Sequence, residues 1–569
     1  MHLCHWDIKL HQCCIYRTLL IKFLQYQIIQ TSSSLSLKMV FFKSFSFIKF
    51  VLILFRVLPK HHNKQKGLQI SSSSDAYVES FPQFKHRCSE SSETTLIFNV
   101  EGTLLRSSSL FPYFMLVAFE AGSIIRALLL LLLYPFLRLI SEEMSLKVMV
   151  LVCFLGIKKE SFRIGSSVLP KFFMEDVSAE SFAALRMAKK KVGVTELPRV
   201  MVESFLKDYM EVDVVIGREL KEIGGYYVGL YEEKETSKRA QCAEAKLFRD
   251  VAELSSTVIG LDNLSSSTQN QLFSGCKEIY MVSEAEKLNW SILPRDRYPK
   301  PLIFHDGRLA FRPTPLSILA MFMWFPFGLV LSIFRITIAV ILPLNVSLPV
   351  LFFSGIKLRL LNSDSLNSAD HDIIGPKGTL FVCNHRTLLD PLFLSFGLKK
   401  PVAAVTYSLS RLSEIISPIR TGRLTRDHDQ DSKMMKELLN HGDLVVCPEG
   451  TTCREPYLLR LSPLFTELSD NIVPVGMDSH VTMFHGTTAG GSKCLDPFFF
   501  MMNPDPSYTV RFLNRVRGAS LCKQGDRSRY EVANVVQSEL GKALGFECTM
   551  HTRKDKYLSL AGNEGLVSA

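Results

Sequence analysis

Long apolar stretches alternate with polar ones along this chain. Three such stretches cover residues 110–140, 146–157 and 315–344. A helix that crosses a bilayer needs about 20 apolar residues, and apolar helices without a polar face are costly in water. The pattern therefore favours membrane-embedded helices. The alternative is a set of buried helices inside a large soluble core.

Charged residues and a proline interrupt the two longest stretches. Glu120 and Arg126 lie in the first, and Pro326 and Arg335 lie in the second. A charge in lipid is costly and a proline removes a helical hydrogen bond, so neither stretch is expected to be one clean span. We expect helical hairpins or re-entrant segments instead.

The N-terminal part divides into three segments before the first folded domain. Residues 1–38 end in a serine-rich stretch, and we expect them to be an extension outside the fold. Residues 39–66 are apolar and basic, which is typical of a signal anchor or an interfacial helix, and no cleavage site of small residues follows. Residues 67–93 are a polar linker.

The rest of the chain alternates short apolar strands with helical segments, which predicts α/β domains. Residues 94–310 are expected to form the first domain, with a membrane insertion at 110–157. A membrane hairpin is expected at 311–350. Residues 351–548 are expected to form the second α/β domain, followed by a polar tail at 549–569.

Composition narrows the class of partner. Apolar residues make up 47% of the chain, 40 residues are Phe, and the net charge is +11. The basic clusters suit anionic lipid headgroups, whereas no nucleic-acid motif is present, so we expect a lipid bilayer and no nucleic acid. The 13 cysteines lack zinc-ligand spacing, which argues against a metal and for reduced thiols on a cytosolic face.

Two strand-like runs each end in polar residues. FVCNHRTLLDP places His385 and Asp390 in an H-x4-D arrangement, and CPEGTTCREP places Glu449, Gly450 and Thr451 after a second run. Strand ends that deliver polar residues to one edge are how an α/β domain builds a site. His385 is a candidate general base and Asp390 its orienting partner. A surface histidine beside a turn aspartate is the alternative for the first motif alone.

These blocks, in this order and spacing, resemble those of the glycerolipid acyltransferases. NHRTLLD is similar to the first block and PEGTTCREP to the third, while RTGRLTRD carries Arg426 and IVPVG carries Pro474. From Thr94 onward the chain resembles the land-plant glycerol-3-phosphate acyltransferases, which have a phosphatase-like domain ahead of the acyltransferase. Some of those enzymes acylate the sn-2 position and serve cutin or suberin synthesis.

The resemblance implies a reaction and a location. Glycerol-3-phosphate and acyl-CoA would be the substrates and lysophosphatidate the product, with no further cofactor. The protein would be integral to a membrane, the endoplasmic reticulum, with its active site facing the cytosol.

The resemblance also implies roles for individual residues. Arg426 and Arg454 are the candidates for binding phosphate, because a guanidinium matches phosphate geometry. A surface salt bridge is the alternative for each. Glu449, Gly450 and Thr451 are expected to form a tight substrate-binding turn, and Pro474 is expected to shape the site by ending a strand.

A second resemblance lies near the start of the first domain. FNVEGTLL is similar to the D-x-D-G-T block of haloacid-dehalogenase-type (HAD) phosphatases, with Asn99 and Glu101 in place of the two aspartates. An amide cannot act as that nucleophile, and glutamate is one methylene longer than the acid it replaces. Gly102 and Thr103 remain, so the turn is expected to survive.

The other phosphatase blocks are incomplete. Thr195 occupies the position of the phosphate-binding hydroxyl, and the late acidic block retains at most Asp262. We therefore expect a retained fold without phosphatase chemistry. Other possibilities are a bifunctional acyltransferase and phosphatase that releases monoacylglycerol, acylation of lysophosphatidate, and a catalytically silent membrane scaffold.

Overall fold

Two β-sheets organise the part of the chain that the structure describes. The computed structural model describes residues 77–80, 94–232, 257–263, 273, 276–362, 378–406, 414, 417–519, 522 and 528–565. The expected extension at 1–38 and the basic segment at 39–66 lie outside these residues. The chain divides into two units. One consists of 70–131 and 143–569 and contains both sheets, and the other consists of 1–69 and 132–142.

The N-terminal domain is built on a parallel sheet. Its region contains strands β1 (Tyr77–Ser80), β2 (Thr94–Asn99), β3 (Lys190–Pro198), β4 (Val214–Arg218), β5 (Leu220–Ile223), β6 (Tyr226–Tyr231), β7 (Thr257–Asn263) and β8 (Glu278–Val282). Six of them pair in the order β1-β8-β7-β2-β3-β4, all parallel, while β5 and β6 form an antiparallel hairpin. Parallel sheets are covered on both faces, and all six residues of β2 are buried.

Eight α-helices lie in the N-terminal half among the described residues. They are α1 (Phe111–Val117), α2 (Ile124–Leu137), α3 (Glu142–Phe154), α4 (Ile164–Ser167), α5 (Leu169–Met174), α6 (Ala179–Met187), α7 (Arg199–Ser204) and α8 (Glu284–Asn289). Every residue of α1 is buried. The first part of the expected membrane insertion at 110–157 is therefore a core helix of the domain, since its apolar side chains face protein.

The two charges in this stretch have polar partners. Glu120 accepts hydrogen bonds from the backbone N–H groups of Arg308 and Leu309 at 2.6 and 3.1 Å. Arg126 donates to the carbonyl oxygens of Cys153 and Leu155 at 3.1 and 2.6 Å, at the end of α3. A cation at the carboxyl end of a helix is favourable. Both charged side chains are thus hydrogen-bonded within the protein.

The C-terminal domain is built on a mixed sheet. Its strands are β9 (Lys357–Leu361), β10 (Leu380–Cys383), β11 (Ala403–Thr406), β12 (Arg420–Arg423), β13 (Leu444–Val446), β14 (Tyr457–Leu458), β15 (Ile472–His480), β16 (Ser507–Phe512) and β17 (Glu547–Cys548). Seven pair in the order β12-β11-β13-β10-β15-β16-β9, and β15 with β16 is the antiparallel pair. The two α/β domains predicted from the sequence are confirmed.

Residues of β10 alternate between two apolar cores. Phe381 and Cys383 belong to one core, and Leu380 and Val382 belong to the other. This alternation follows from the two-residue period of a strand. Because both faces of β10 are buried, the strand reads as a continuous apolar run in the sequence, and its polar residues start only where it ends.

Seven α-helices lie in the C-terminal half among the described residues. They are α9 (Pro315–Ile341), α10 (Leu344–Phe353), α11 (Asp390–Leu398), α12 (His428–His441), α13 (Asp496–Met501), α14 (Arg529–Leu544) and α15 (Arg553–Ala561). Helix α9 alone among the described helices has the length and apolar composition that could cross a membrane. It packs against α10 and α13.

Helix α9 is continuous where the sequence predicted a break. Pro326 lies inside the helix, and the turn to α10 follows at Leu342 and Pro343. Arg335 is fully buried and donates hydrogen bonds to the carbonyl oxygens of Ser354, Met501, Asn503 and Pro504. The expected interruption at Arg335 is wrong, because its charge is stabilised by oxygens from outside the helix.

An extended segment joins the two domains through buried ion pairs. Arg312 forms a two-pronged pair with Asp176 of the N-terminal domain, at 2.7 and 2.9 Å. Arg308 pairs with Asp496 of the C-terminal domain at 2.7 Å. Asp306 accepts the backbone N–H groups of Ala489 and Gly490. The segment is thereby fixed to both domains.

The expected polar tail contains structure. Residues 553–561 form α15, whose capping box uses Thr552 and Asp555. Lys556 of this helix is buried and donates to the side chains of Thr451 and Thr452 at 3.3 and 3.0 Å. Burial lowers the pKa of Lys556 to about 8. A helix that supplies a buried cation to the third sequence block belongs to the domain, so the boundary predicted at 548 is wrong.

Candidate active site

The carboxyl end of β10 places His385 beside Asp390. The side chain of Asn384 fixes this end by bonding both the N–H and the C=O of Met477 on the neighbouring strand β15, at 2.6 and 2.9 Å. The chain then turns, and α11 begins at Asp390 with Pro391 in its first turn. His385 Nδ1 lies 2.8 Å from an oxygen of Asp390.

Asp390 is fully buried and is surrounded by donors. Besides His385, it accepts the backbone N–H groups of Arg386 at 2.7 Å and Thr387 at 3.1 Å. The hydroxyl of Tyr508 donates to its other oxygen at 2.7 Å. Nδ1 facing a carboxylate carries the proton, which leaves Nε2 as the basic nitrogen of the ring. The arrangement can accept a proton at His385 and stabilise the charge that results.

Glu449 holds the His385 loop in place. Its two carboxylate oxygens accept the backbone N–H groups of His385 at 2.8 Å and Leu459 at 3.1 Å. The N–H of Cys453 in turn donates to the carbonyl oxygen of His385 at 2.8 Å. Burial raises the pKa of Glu449 to about 8. The carboxyl group thus connects the first and third blocks, and its oxygens are committed to backbone groups.

Gly450 and Thr451 continue the same turn in different ways. Gly450 has φ of 67°, a conformation that glycine adopts without strain, and open space lies where a side chain would point. It lines an open cleft together with Arg426. Thr451 is buried and accepts the hydrogen bond from Lys556. Gly450 is therefore accessible to a ligand, whereas the hydroxyl of Thr451 is bound to protein.

The structure separates the two arginines that the sequence grouped together. Arg426 is exposed at the cleft. The side chain of Arg454 is only 9% exposed, donates to the hydroxyl and the carbonyl oxygen of Thr487, and lies 3.5 Å from a carboxylate oxygen of Asp306. Arg454 is thus directed into the protein and not at the cleft. Its expected contact with a phosphate does not fit this placement.

Pro474 lies inside a strand. It is the third residue of β15 and pairs with Val382 of β10. Its carbonyl oxygen accepts the N–H of Leu513 on the opposite side, just beyond the last antiparallel pair, which joins Val475 to Phe512. The N–H and C=O of one residue point to the same side of a strand. The position where Pro474 lacks an N–H donor therefore faces β16 just beyond the last antiparallel pair, where the ladder of hydrogen bonds has ended. The expectation that Pro474 ends a strand is wrong.

One group of side chains has the composition of a metal site. Ligand atoms of His385, Asp390 and Cys447 lie within 4.8 Å of one another. Burial raises the pKa of the Cys447 thiol, so the thiolate that would bind a metal is disfavoured. Asp390 and the near nitrogen of His385 already bond each other. These donors fit a hydrogen-bonded pair better than a coordination sphere, and the absence of a metal stays a prediction.

The altered phosphatase block retains its turn. Thr103 donates to the carbonyl oxygen of Asn99 at 2.6 Å, and the N–H of Gly102 donates to the Asn99 side chain at 2.9 Å. The amide of Asn99 also donates to Asp262 at 3.0 Å. Asn99, Thr195 and Asp262 all lie towards the carboxyl ends of neighbouring parallel strands. The geometry of the edge survives with a changed set of side chains.

Glu101 fills part of this edge. One of its oxygens accepts the hydroxyl of Thr195 and the backbone N–H groups of Glu196 and Leu197, the latter two at 3.2 Å. Burial raises the pKa of Glu101. Thr195 is the residue that the resemblance assigns to phosphate binding, and the longer acid occupies it. The N-terminal site therefore has its own carboxyl group where a phosphate would bind.

Two family models match the chain. The description of the first is glycerol-3-phosphate acyltransferase RAM2-like, HAD-like domain, over residues 95–282, and that of the second is acyltransferase, over residues 366–478. The chain is 56% identical to the probable glycerol-3-phosphate acyltransferase 2 of Arabidopsis thaliana, over 85% of this chain and 92% of that protein. It is 43% identical to glycerol-3-phosphate acyltransferase RAM2 of Petunia hybrida, over 82% and 97%.

This chain belongs to the glycerol-3-phosphate acyltransferase family with an N-terminal HAD-like domain. A solved lysophosphatidate acyltransferase, PlsC of Thermotoga maritima, is similar over 40% of this chain and 97% of its own length, at 14% identity and a TM-score of 0.26.

Two residues of this acyltransferase site were not predicted from the sequence. Tyr508 bonds Asp390 from a strand more than a hundred residues away. Arg386 donates to the carbonyl oxygens of Cys453 and Glu455, both at 2.9 Å, and so holds the third block against the first. Arg386 is adjacent to His385 in the first block, so the sequence could have indicated its place in the site. Tyr508 lies in an ordinary strand pattern and gives no such signal.

The different placements of the two arginines predict different effects on stability. Arg454→Gln removes a buried cation from Asp306 and Thr487 and is expected to lower the free energy of unfolding by about 3 kcal/mol or more. Arg426→Gln removes an exposed charge and is expected to change it by less than about 0.5 kcal/mol. Thermal unfolding of both variants in the same detergent measures the difference. Equal midpoints would show that Arg454 is not committed to the protein.

Proposed function

We propose that this chain transfers an acyl group from acyl-CoA to a hydroxyl of glycerol-3-phosphate and releases lysophosphatidate and coenzyme A. The observation that carries the proposal is the pairing of His385 with the buried carboxylate of Asp390 at 2.8 Å. The family membership supports the choice of substrates, since the relatives are named for glycerol-3-phosphate.

The chemistry follows from the free nitrogen of His385. Nε2 takes the proton of the substrate hydroxyl while its oxygen attacks the thioester carbonyl, and Asp390 stabilises the imidazolium that forms. Collapse of the tetrahedral intermediate breaks the carbon–sulfur bond, and the imidazolium returns the proton to the departing thiolate. The thioester is already activated, so no covalent enzyme intermediate is needed.

The phosphatase-like domain is not expected to catalyse a second reaction, the hydrolysis of the product's phosphate. Asn99 cannot form an acyl phosphate, and the hydroxyl of Thr195 is bound to Glu101. The phosphate is therefore expected to stay on the product. The sn-2 position and a role in cutin or suberin synthesis are part of the proposal, and their support is the resemblance alone. An assay with ordinary and ω-oxidised acyl-CoAs, with product regiochemistry resolved, tests both.

Membrane attachment is a further part of the proposal, and α9 supports it. One side of this helix is tied to the C-terminal domain, since Trp324 donates to the carbonyl oxygen of Met502 at 2.7 Å and Ser332 to that of Phe498 at 2.9 Å. The other side exposes large apolar residues, among them Phe327 and Val330. A helix of 27 residues that is fixed along a domain in this way suits a position in the membrane surface better than an isolated span.

The active site is proposed to face the cytosol, at the endoplasmic reticulum. The cysteines of the described residues are free thiols, including Cys383, Cys447 and Cys453 near the site. Free thiols are typical of a reducing compartment, which supports the cytosolic side. The organelle itself rests on the resemblance.

His385→Ala is expected to lower acyl transfer at least about 100-fold, because general base catalysis contributes about 10²–10⁴-fold. Asp390→Asn is expected to be severe as well, since the amide would present the wrong tautomer of the ring to the substrate. Initial rates with labelled glycerol-3-phosphate measure both, after each variant is matched for protein in the membrane. A His385→Ala variant that keeps more than about a tenth of the activity would remove His385 from this role.

Lysophosphatidate is expected to accumulate when the purified protein acts in the absence of other phosphatases. Asn99→Ala should leave the product unchanged, because Asn99 holds a turn and performs no chemistry. Chromatography of the labelled products distinguishes lysophosphatidate from monoacylglycerol. Monoacylglycerol as the main product, lost on substitution of Glu101, is the result that would contradict this prediction.

The protein is expected to resist extraction by high salt and by carbonate and to dissolve in detergent. Within α9, the double substitution Phe327→Asp with Val330→Asp should weaken flotation with phospholipid vesicles, because it places charge on the exposed apolar face. Leu288→Asp changes an 82% exposed leucine on α8 and serves as the matched control. Unchanged flotation of the double variant would mean that this face does not contact lipid.

A further inference from the structure

An open cleft of about 410 Å³ lies beside the third sequence block and is rich in cationic side chains. The residues of its lining that bear on a ligand are Arg426, His428, Asp431, Gly450, Arg529 and Arg553. Gly450 directly follows Glu449, whose carboxylate bonds the backbone of the catalytic histidine. One residue of the cleft lining is therefore the sequence neighbour of the residue that holds His385.

The three arginines come from distant parts of the sequence. Arg426 lies in the second sequence block, whereas Arg529 is the first residue of α14 and Arg553 is the first residue of α15. No family block includes the last two. Their meeting beside Gly450 is visible only in the folded chain, and it brings the C-terminal helices into the site.

Protein carboxylates do not neutralise these arginines within the part of the chain that the structure describes. Asp431 is the carboxylate in the lining, and its oxygens accept the backbone N–H groups of Thr425 and Arg426 at 2.7 and 3.0 Å. The guanidinium groups of Arg529 and Arg553 lie over the rings of Tyr530 and Tyr557, each at 5.2 Å. Arg553 also donates to the carbonyl oxygen of Gly565, a neutral group that leaves the charge of the guanidinium uncompensated. Stacking on a ring positions a guanidinium while it keeps its charge.

The helices add to the positive potential of the cleft. His428, Arg529 and Arg553 are the first residues of α12, α14 and α15, so three helix N-termini border the same space. An N-terminus carries partial positive charge and favours anions. An arginine there is unfavourable for the helix itself, typically by about 0.3–1 kcal/mol.

Capping offsets this cost at both arginines. Glu531 accepts the backbone N–H of Ser528 at 3.1 Å, and Asp555 accepts that of Thr552 at 2.6 Å. These are the reciprocal bonds of capping boxes, which stabilise a helix start. Each helix therefore tolerates an arginine whose charge an anion in the cleft would compensate.

We infer that this cleft binds a phosphate monoester and that Arg529 and Arg553 contribute to its affinity together with Arg426. A guanidinium donates paired hydrogen bonds to phosphate, and Gly450 lets backbone approach a ligand closely. The inference rests on the proposed function, in which both substrates carry such a group. They are glycerol-3-phosphate and acyl-CoA, whose coenzyme A part has a 3′-phosphate.

Charge-removing variants test the assignment. Arg529→Gln and Arg553→Gln are compared with Lys542→Gln and Lys554→Gln, which remove exposed cations from the same two helices. Initial rates are measured against glycerol-3-phosphate, acyl-CoA and acyl-dephospho-CoA. We expect each arginine variant to raise the KM of one phosphate ligand about tenfold or more, equivalent to about 1.4 kcal/mol, and the lysine variants to stay within about twofold of wild type.

The three substrates identify the source of the phosphate. A raised KM for glycerol-3-phosphate alone assigns the cleft to the acceptor. A raised KM for acyl-CoA that disappears with acyl-dephospho-CoA assigns it to the 3′-phosphate of the donor. Arg553→Lys, which keeps the charge, is expected to lie between wild type and Arg553→Gln, whereas a packing role of the guanidinium would give no such recovery.

Direct binding separates this inference from the proposed function. Adenosine 3′,5′-bisphosphate and glycerol-3-phosphate are titrated against the full chain in detergent, and we expect one of them to bind wild type at least tenfold more tightly than the Arg529→Gln, Arg553→Gln double variant. Wild type without acyl transfer would overturn the proposed function while this comparison still tests the cleft. Equal binding by wild type and double variant, or equal loss in Lys554→Gln and Arg553→Gln, would overturn the inference.

Discussion

The catalytic geometry depends on one buried carboxylate. Asp390 is inaccessible to solvent and accepts bonds from His385, from two backbone N–H groups and from Tyr508. A buried charge is tolerated only when donors surround it, so the turn after β10 and the start of α11 must both be formed to supply the donors that this carboxylate needs. The hydrogen bonds that Asp390 accepts therefore fix the position of His385.

Buried charge also determines how the two domains are connected. Arg312, Arg308 and Asp306 lie on one extended segment and find their partners in different domains. Removing one partner from such a pair costs far more than the intact pair contributes, because a buried charge is left alone. The N-terminal domain thus supplies Asp176 and a rigid support to the segment that leads into α9.

The sequence predicted both α/β domains and the pairing of His385 with Asp390, because these rest on periodicity and on the ends of apolar strands. It could not predict the burial of Arg454, since Asp306 and Thr487 are far away along the chain. The prediction at Arg335 was wrong for the same reason, as its carbonyl partners at 501–504 lie at the end of α13 and just beyond it. The local sequence pattern shows the neighbours of a residue along the chain. The free-energy cost of burying a charge depends instead on its neighbours in space.

The bond between Asn99 and Asp262 has a consequence for how the N-terminal domain can evolve. Asn99 donates its amide to Asp262 at 3.0 Å, so an aspartate at position 99 alone would set two carboxyl groups against each other, and two carboxyl groups this close do not both ionise readily. Glu101 would meanwhile still hold the Thr195 hydroxyl. A set of acidic side chains like that of the HAD phosphatases would therefore need several changes together. A single change at position 99 or 101 would remove bonds that this edge of the sheet now makes.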